Sequence, residues 1–437
     1  MYKKLLFLIL VGTSLLAGCG SDSSSPAAAN SAQTAPKAWV RAHLDDVYLW
    51  YNEIINVPPA LYATAPAYFD ALLVPSRDRF SFSMPEADAA SIFQEGRETG
   101  FGVKWGWAAP GRLFAYYVDP NSPAAIAITR GTEITSLDGQ PLANLTTSYL
   151  NNALFPDQPG NSVNLTFRSP GTSTTQAIGL ISATFSTTTV SQPLIISLPG
   201  GGKAGYLLFN QHLPTAEQGL NDALTYFKQE GVSELVLDLR YNTGGYLTIA
   251  EEVASMIGGM PVQGKVFEKL LFNSKHPEKT QDFLFDALDS NGVTLPLLGL
   301  SRVFVLTGSN TCSASEAIIN GLLPHIQVVI IGWTTCGKPY GFLQTNNAGQ
   351  AYFAIQFEGV NANGRADYKT GFAPTCQVNE DLNYSLGDMR EGRLNAALYF
   401  MSNNTCPPAS PVALSSTIPS SGDVQLVGQK PGLKLLR

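Results

Sequence analysis

The sequence predicts an α/β protein with a mostly parallel core sheet, an N-terminal helical segment and an inserted β domain. Three observations carry this. From residue 200 onward, short apolar runs alternate with amphipathic stretches. Between residues 96 and 190 the pattern becomes alternating, punctuated by Gly and Pro and rich in Thr and Ser. Between residues 37 and 95, Trp39, Val40, His43, Leu44, Val47, Tyr48, Trp50 and Tyr51 fall at spacings of three and four, an amphipathic helical pattern.

The first nineteen residues read as a targeting segment rather than fold. Lys3 and Lys4 supply a positive end, and Leu5 to Leu16 is apolar but too short to span a membrane as a mature helix. Leu16-Ala17-Gly18-Cys19 has the form of a bacterial lipobox, which implies cleavage before Cys19 and lipid attachment to its thiol. Residues 20–36, rich in Ser, Ala, Asp, Pro and Asn, read as a flexible tether. A lipid-anchored, exported protein of the cell envelope is expected. Gly20 after the anchor points to the periplasmic face of the outer membrane.

The helical segment of 37–95 includes a second helix around Tyr68, Phe69, Leu72 and Leu73, and closes at Asp78-Arg79-Phe80-Ser81-Phe82. The β region of 96–190 opens with Gly100-Phe101-Gly102-Val103. It continues through Phe114 to Val118, Asp119-Pro120-Asn121-Ser122-Pro123-Ala124-Ala125 and Arg130 to Gly139. In the core, 191–406, strands are expected at Gly205–Phe209, Leu235–Leu239, Val303–Thr307 and Val328–Gly332, with helices between them. Residues 407–437, Ser- and Pro-rich, read as a loosely held tail.

The chain of 437 residues is 44% hydrophobic and 14% charged, enough for two or three ordinary cores. Its net charge of −7 and lack of a basic stripe argue against nucleic-acid binding. The four histidines, His43, His212, His276 and His325, have no ligand spacing, and no HExxH, CxxC or P-loop pattern is present. No metal and no cofactor is expected. Without Cys19, four cysteines remain: Cys312, Cys336, Cys376 and Cys406. An even count in an exported chain favours disulfides. Three pairings are open; Cys312–Cys336 with Cys376–Cys406 is favoured, because the first would staple two segments of chemical interest.

Those segments are Thr311-Cys312-Ser313-Ala314-Ser315-Glu316 and Cys336-Gly337-Lys338-Pro339-Tyr340-Gly341. The first joins an apolar run to a helix-like stretch from Glu316 to Leu323. A serine at a helix N-terminus sits where free N–H groups stabilise negative charge. The second follows the buried run Val328 to Ile331, from which a lysine can reach that serine as its base. A free lysine titrates near ~10.4, so such a base needs an apolar pocket that lowers its value toward ~7–8. Trp333, Tyr340 and Phe342 are candidates to line it. On its own, Ser313 reads first as a helix cap, and only its pairing with Lys338 favours a nucleophile.

The motifs together resemble the carboxyl-terminal processing (tail-specific) serine peptidases. Leu237-Asp238-Leu239-Arg240-Tyr241-Asn242-Thr243-Gly244-Gly245 matches that family's DLRxNxGG segment, Ser313-Ala314-Ser315-Glu316 its SASE segment and Gly337-Lys338 its GK segment. The 25 residues from Ser313 to Lys338 match its spacing. Trp50-Tyr51, Asp78 to Ser81 and Gly371-Phe372-Ala373-Pro374 also fit, so the similarity spans roughly residues 37–405. Residues 96–190 resemble a bacterial PDZ domain, with Thr132 where Asp is usual.

The resemblance implies a serine endopeptidase with Ser313 as nucleophile and Lys338 as general base. It implies an oxyanion hole from the N–H groups of Ala314 and of Gly244 or Gly245, and peptide binding at Gly100, Phe101, Gly102 and Val103. The expected substrates are exposed C-terminal tails of cell-envelope proteins. Asp238 and Arg240 are expected to brace the turn, with Arg240 in reach of substrate. One departure stands out. Phe342 occupies the position, four residues after the lysine, where many members carry glutamine; Gln344, on the same strand face if the strand is regular, is the candidate to orient Lys338. Two other readings stay open: an inactive or weak PDZ-containing protein that binds envelope partners, and a hydrolase of non-peptide esters or amides.

Overall fold

The computed structural model describes residues 26–109, 111–408 and 425–426. Cys19 and the proposed leader lie outside the described residues. At its centre is a six-stranded sheet. Leu194–Ser197 pairs antiparallel with Lys203–Leu208; from there Glu234–Asp238, Arg302–Thr307, Gln327–Gly332 and Cys376–Gln377 add on in parallel.

Both faces of this sheet are covered, which is why its strands read as continuous apolar runs. Leu235, Leu237, Val303 and Val305 face one way, into a core with the helices Glu217–Gln229, Leu247–Gly258 and Ala314–Leu322. Val236, Phe304 and Leu306 face the other way, against Leu394, Ala397 and Phe400 of the helix Gly392–Asn403. That second face also takes Ala108, Phe114, Tyr116 and Tyr117 from the β insert, so the insert is seated on the core rather than hung from it.

The insert is an antiparallel sheet. Val103–Ala109, Arg112–Val118, Glu133–Leu137, Ser162–Arg168 and Thr175–Ile181 follow one another in space. Its Arg130 clamps the core. The guanidinium donates to Tyr241 Oη at 2.6 Å, to the Asp381 and Tyr384 carbonyls at 3.0 and 3.1 Å, and to the Glu380 carboxylate.

The N-terminal segment departs from the sequence reading in two ways. Its first helix runs Pro26–Val47, so residues 26–36, read as tether, are helical; the alanines among them supply strong helix propensity. The segment also contains a strand, Phe82–Pro85, which pairs with Gln350–Phe353 of the core. Its own core, with Val40, Leu44, Tyr48, Phe69 and Phe80, includes Cys312. A second antiparallel sheet in the core domain, Gln281–Leu284, Val266–Phe272, Ile355–Val360 and Tyr340–Phe342, carries the chain onward from Lys338. In the tail region, Gln425–Leu426 forms a short strand on Val103–Ala109.

Candidate active site

Three loops meet at the carboxyl ends of the parallel strands, the usual place for a site in an open α/β sheet. The first, Leu239 to Tyr246, follows strand 234–238. The second, Gly308 to Ser313, leads from strand 302–307 into the helix Ala314–Leu322. The third, Trp333 to Pro339, follows strand 327–332.

Ser313 is the residue before that helix and has φ 55° and ψ −118°. A non-glycine residue with positive φ costs of order 1–3 kcal/mol and persists only where its surroundings fix it. Here Glu316, one turn into the helix, reaches back. Its buried Oε2 accepts the Ser313 N–H at 3.0 Å and the Lys338 N–H at 2.8 Å; Oε1 accepts the Gly337 N–H at 2.8 Å and the Thr335 hydroxyl at 2.5 Å. One carboxylate oxygen therefore holds the main chains of Ser313 and Lys338 side by side. Burial pushes the Glu316 carboxyl up, and these hydrogen bonds oppose that. Cys312 is bonded to Cys336, a second tie between the loops, and Cys376 to Cys406. Cys312, Glu316 and Cys336 are close enough together to hold a metal ion, but the two sulfurs are already joined to each other.

Lys338 is 1% exposed. Its Nζ has no hydrogen-bond partner among the described residues, and so is not bonded to the Ser313 hydroxyl. It lies 4.3 Å above the Phe342 ring and 5.4 Å from that of Phe80. Burial lowers its pKa to about 7, with Asp78 and Glu316 opposing. The pocket is partly built by the N-terminal segment. Asp78 accepts the Phe80 and Ser81 N–H groups and the Tyr48 hydroxyl, fixing Phe80; Arg79 donates to the Cys336 carbonyl at 2.6 Å. Phe80 and Asp78 belong to the segment Asp78-Arg79-Phe80-Ser81, but no pattern in the sequence places them beside Lys338.

Gln344 does not orient the lysine. Its amide donates to Asn346 Oδ1 at 2.9 Å. The strand Tyr340–Phe342 carries a register shift between Gly341 and Phe342 and ends there, so the two-residue periodicity expected to bring Gln344 to the same face is broken.

In the glycine turn, Asn242 is the organiser. Its Oδ1 accepts the Gly244 N–H at 2.9 Å, its Nδ2 donates to the Phe209 carbonyl, and its own carbonyl accepts the Ser315 hydroxyl at 3.0 Å and the Cys312 N–H at 3.2 Å. The Gly244 N–H is thus spent inside the turn. Gly244 is required for another reason: at φ 101°, a Cβ there would lie 2.8 Å from the Cys312 carbonyl and 2.9 Å from Ser313 Cβ. His212, fully buried, places Nδ1 3.0 Å from the same Asn242 Oδ1. Since that oxygen is the acceptor, Nδ1 carries the proton. Burial drops the His212 pKa to about 3, so the ring stays neutral. The sequence shows only that His212 lacks ligand spacing with the other histidines.

Arg240 does not reach substrate. It is 1% exposed and bonds Asp238, Glu380 and Glu391. Gly100 and Gly102 have φ 153° and 73°; a Cβ on Gly102 would strike Ser122 at 2.0 Å. Phe101 and Val103 are buried in the insert's core, so that loop offers main chain rather than those side chains to a ligand.

A partly exposed serine at a helix N-terminus, beside a dry lysine and a glycine turn, defines a site for serine-type acyl chemistry. The chain matches Peptidase family S41 over residues 203–378 and the Peptidase S41 N-terminal domain over 35–82, together about half of its length. It belongs to peptidase family S41. It is 27% identical over 246 residues to the carboxyl-terminal-processing protease of Picosynechococcus sp. strain PCC 7002, covering 55% of this chain and 54% of that one. Against the chloroplastic C-terminal processing peptidase of Tetradesmus obliquus it is 27% identical over 286 residues, covering 60% and 56%. The chain thus spans about half the length of these curated relatives. Among solved structures, an S41 protease from Bacteroides fragilis NCTC 9343 superposes with TM-score 0.68 and 26% identity, covering 84% of this chain and 97% of that one. The photosystem II D1 C-terminal processing protease, at TM-score 0.50 and 20% identity, covers 78% and 92% and shares the fold.

Proposed function

We propose that this protein is a serine endopeptidase that cleaves flexible C-terminal segments of cell-envelope proteins, with Ser313 as nucleophile and Lys338 as general base. Substrate binds with its scissile carbonyl over Ser313. Neutral Nζ takes the hydroxyl proton as Oγ attacks the carbonyl carbon, and the oxyanion is held by the N–H groups of Ala314 and Gly245. Lys338 returns the proton to the leaving amine, the C–N bond breaks and an acyl-enzyme remains. Water, activated by the same amine, releases the acid and regenerates Ser313. Catalytic hydrogen bonds are often longer in free enzymes and tighten with substrate bound, so an unbonded Nζ beside the serine loop fits this scheme.

The observation that carries the reading is the Glu316 carboxylate shared by the Ser313 and Lys338 main chains. The PDZ-like insert would present the tail by strand addition. The leader and Cys19 would anchor the mature protein by lipid at the periplasmic face of the outer membrane; no helix among the described residues is long and apolar enough to cross a membrane. No metal or cofactor takes part in the scheme.

A second reading is a binding protein with little turnover. Phe342 in place of a polar orienting side chain is the observation that favours it. Cleavage of a library of tail peptides, read by mass spectrometry, separates the two. The peptidase reading expects products from wild type and none from Lys338→Ala; tail binding without products from wild type would establish the binding protein instead.

A further inference from the structure

The insert's antiparallel sheet ends at the strand Val103–Ala109, and Gln425–Leu426 is paired to its outer edge. The pairing is antiparallel: Gln425 stands opposite Trp107 and Leu426 opposite Gly106. Moving along the tail from 425 to 426 therefore moves along the insert strand from 107 to 106, toward the glycine loop at Gly100–Val103. An extended peptide captured by strand addition at this loop would use the same edge.

Four features make the contact more than a neighbour in space. An uncovered edge strand exposes a row of N–H and C=O groups that recruits another strand, and proteins cover such edges. The insert strand carries register shifts between Lys104 and Trp105 and between Trp107 and Ala109, so its regular pairing surface is short and centred on the residues the tail engages. In the tail sequence, Val424-Gln425-Leu426-Val427 is a β-prone run within a Ser-, Pro- and Gly-rich stretch. The tail also has the reach. From Pro408, just beyond the Cys376–Cys406 bond, the chain to Gln425 can extend on the order of 50 Å.

We propose that the outer edge of Val103–Ala109 is a strand-addition site whose resident occupant is the Gln425–Leu426 strand of the same chain. Another extended peptide, apolar or β-branched at alternate positions, must displace it to bind. That such a peptide would be a substrate tail rests on the peptidase reading; the pairing itself does not. Because the occupant is tethered, its effective concentration is about 1 mM. With an intrinsic affinity of about 100 µM, it would weaken a competitor about tenfold.

The test uses the full chain carrying Ser313→Ala, so that no hydrolysis can intervene, with and without Gln425→Pro and Leu426→Pro. Proline removes the tail's N–H donors. A fluorescein-labelled synthetic peptide of residues 421–430 is titrated by anisotropy, and amide exchange is followed over Lys104–Ala108. The proposal expects the proline variant to bind the peptide about tenfold more tightly, and its strand amides to exchange faster in the absence of peptide. Equal affinity and equal exchange in the two proteins, or no peptide binding by the proline variant, would overturn it. So would protection that vanishes on dilution, which would assign the occupant to a second copy. A failed peptidase reading would leave all of these readouts unchanged.

Discussion

Nζ of Lys338 lies 4.3 Å above the Phe342 ring and has no hydrogen-bond partner among the described residues. An amine over an aromatic face, out of water, is held by two opposed effects: burial disfavours its charge and the ring favours it. Phe342 is itself packed against Phe82 and Phe353, so the face is fixed. Replacing it with Leu keeps an apolar wall and removes the ring. The cation loses about 0.5–2 kcal/mol of attraction, so the lysine pKa should fall by about 0.4 to 1.5 units. The midpoint of the pH–rate profile should move down by that amount.

The profile itself follows from the same residue. With the Lys338 pKa lowered to about 7, the active, neutral form grows as pH rises. The logarithm of kcat/KM should climb with unit slope below about pH 7 and level off above it. A profile flat from pH 5.5 to 9 would contradict a lysine base.

Burying this lysine also costs stability, with a definite sign. The unfolded chain keeps the lysine proton up to pH ~10.4, whereas the folded protein releases it near 7. Between those values the unfolded state binds more protons, so stability rises with pH. Lys338→Met removes this dependence. The variant should be more stable than wild type by up to about 5 kcal/mol at pH 6, and the gain should shrink toward pH 10, as denaturant titrations at both pH values would show.

Glu316→Gln replaces one acceptor oxygen by an NH2 that must face N–H donors from Ser313, Gly337 or Lys338. Leaving buried groups unpaired costs about 1–3 kcal/mol, and the serine loop loses its tie to the lysine loop. Stability should fall by that amount and kcat by at least about tenfold, with KM less affected. Normal kcat in a folded Gln variant would remove the carboxylate from the account.

The two disulfides should separate. Cys312–Cys336 joins the serine and lysine loops, whereas Cys376–Cys406 ties the strand Cys376–Gln377 to the segment just after the helix Gly392–Asn403. Each closes a loop of similar length, so each should cost about 2–4 kcal/mol when replaced by serines. Only Cys312→Ser with Cys336→Ser should also slow turnover at a temperature where both variants are folded.

Much of this was legible in the sequence because the core strands are buried on both faces and read as apolar runs that end in named motifs. The serine, lysine and glycine loops follow strands 302–307, 327–332 and 234–238, as the alternation predicts. The rest depends on contacts that no local pattern records. Phe80 reaches Lys338 from more than two hundred residues away, His212 meets Asn242 across a strand, and Gln344 turns away because of a register shift. The strands at Phe82–Pro85 and Gln425–Leu426 are too short for period-two alternation to show.

The most direct measurement is intact-mass analysis of the protein after reaction with a fluorophosphonate at pH 6 and pH 8.5, alongside Ser313→Ala. The account predicts one adduct, mapping to Ser313, formed faster at the higher pH and absent in the variant. An adduct formed equally in Ser313→Ala, or none on the wild-type protein, would contradict it.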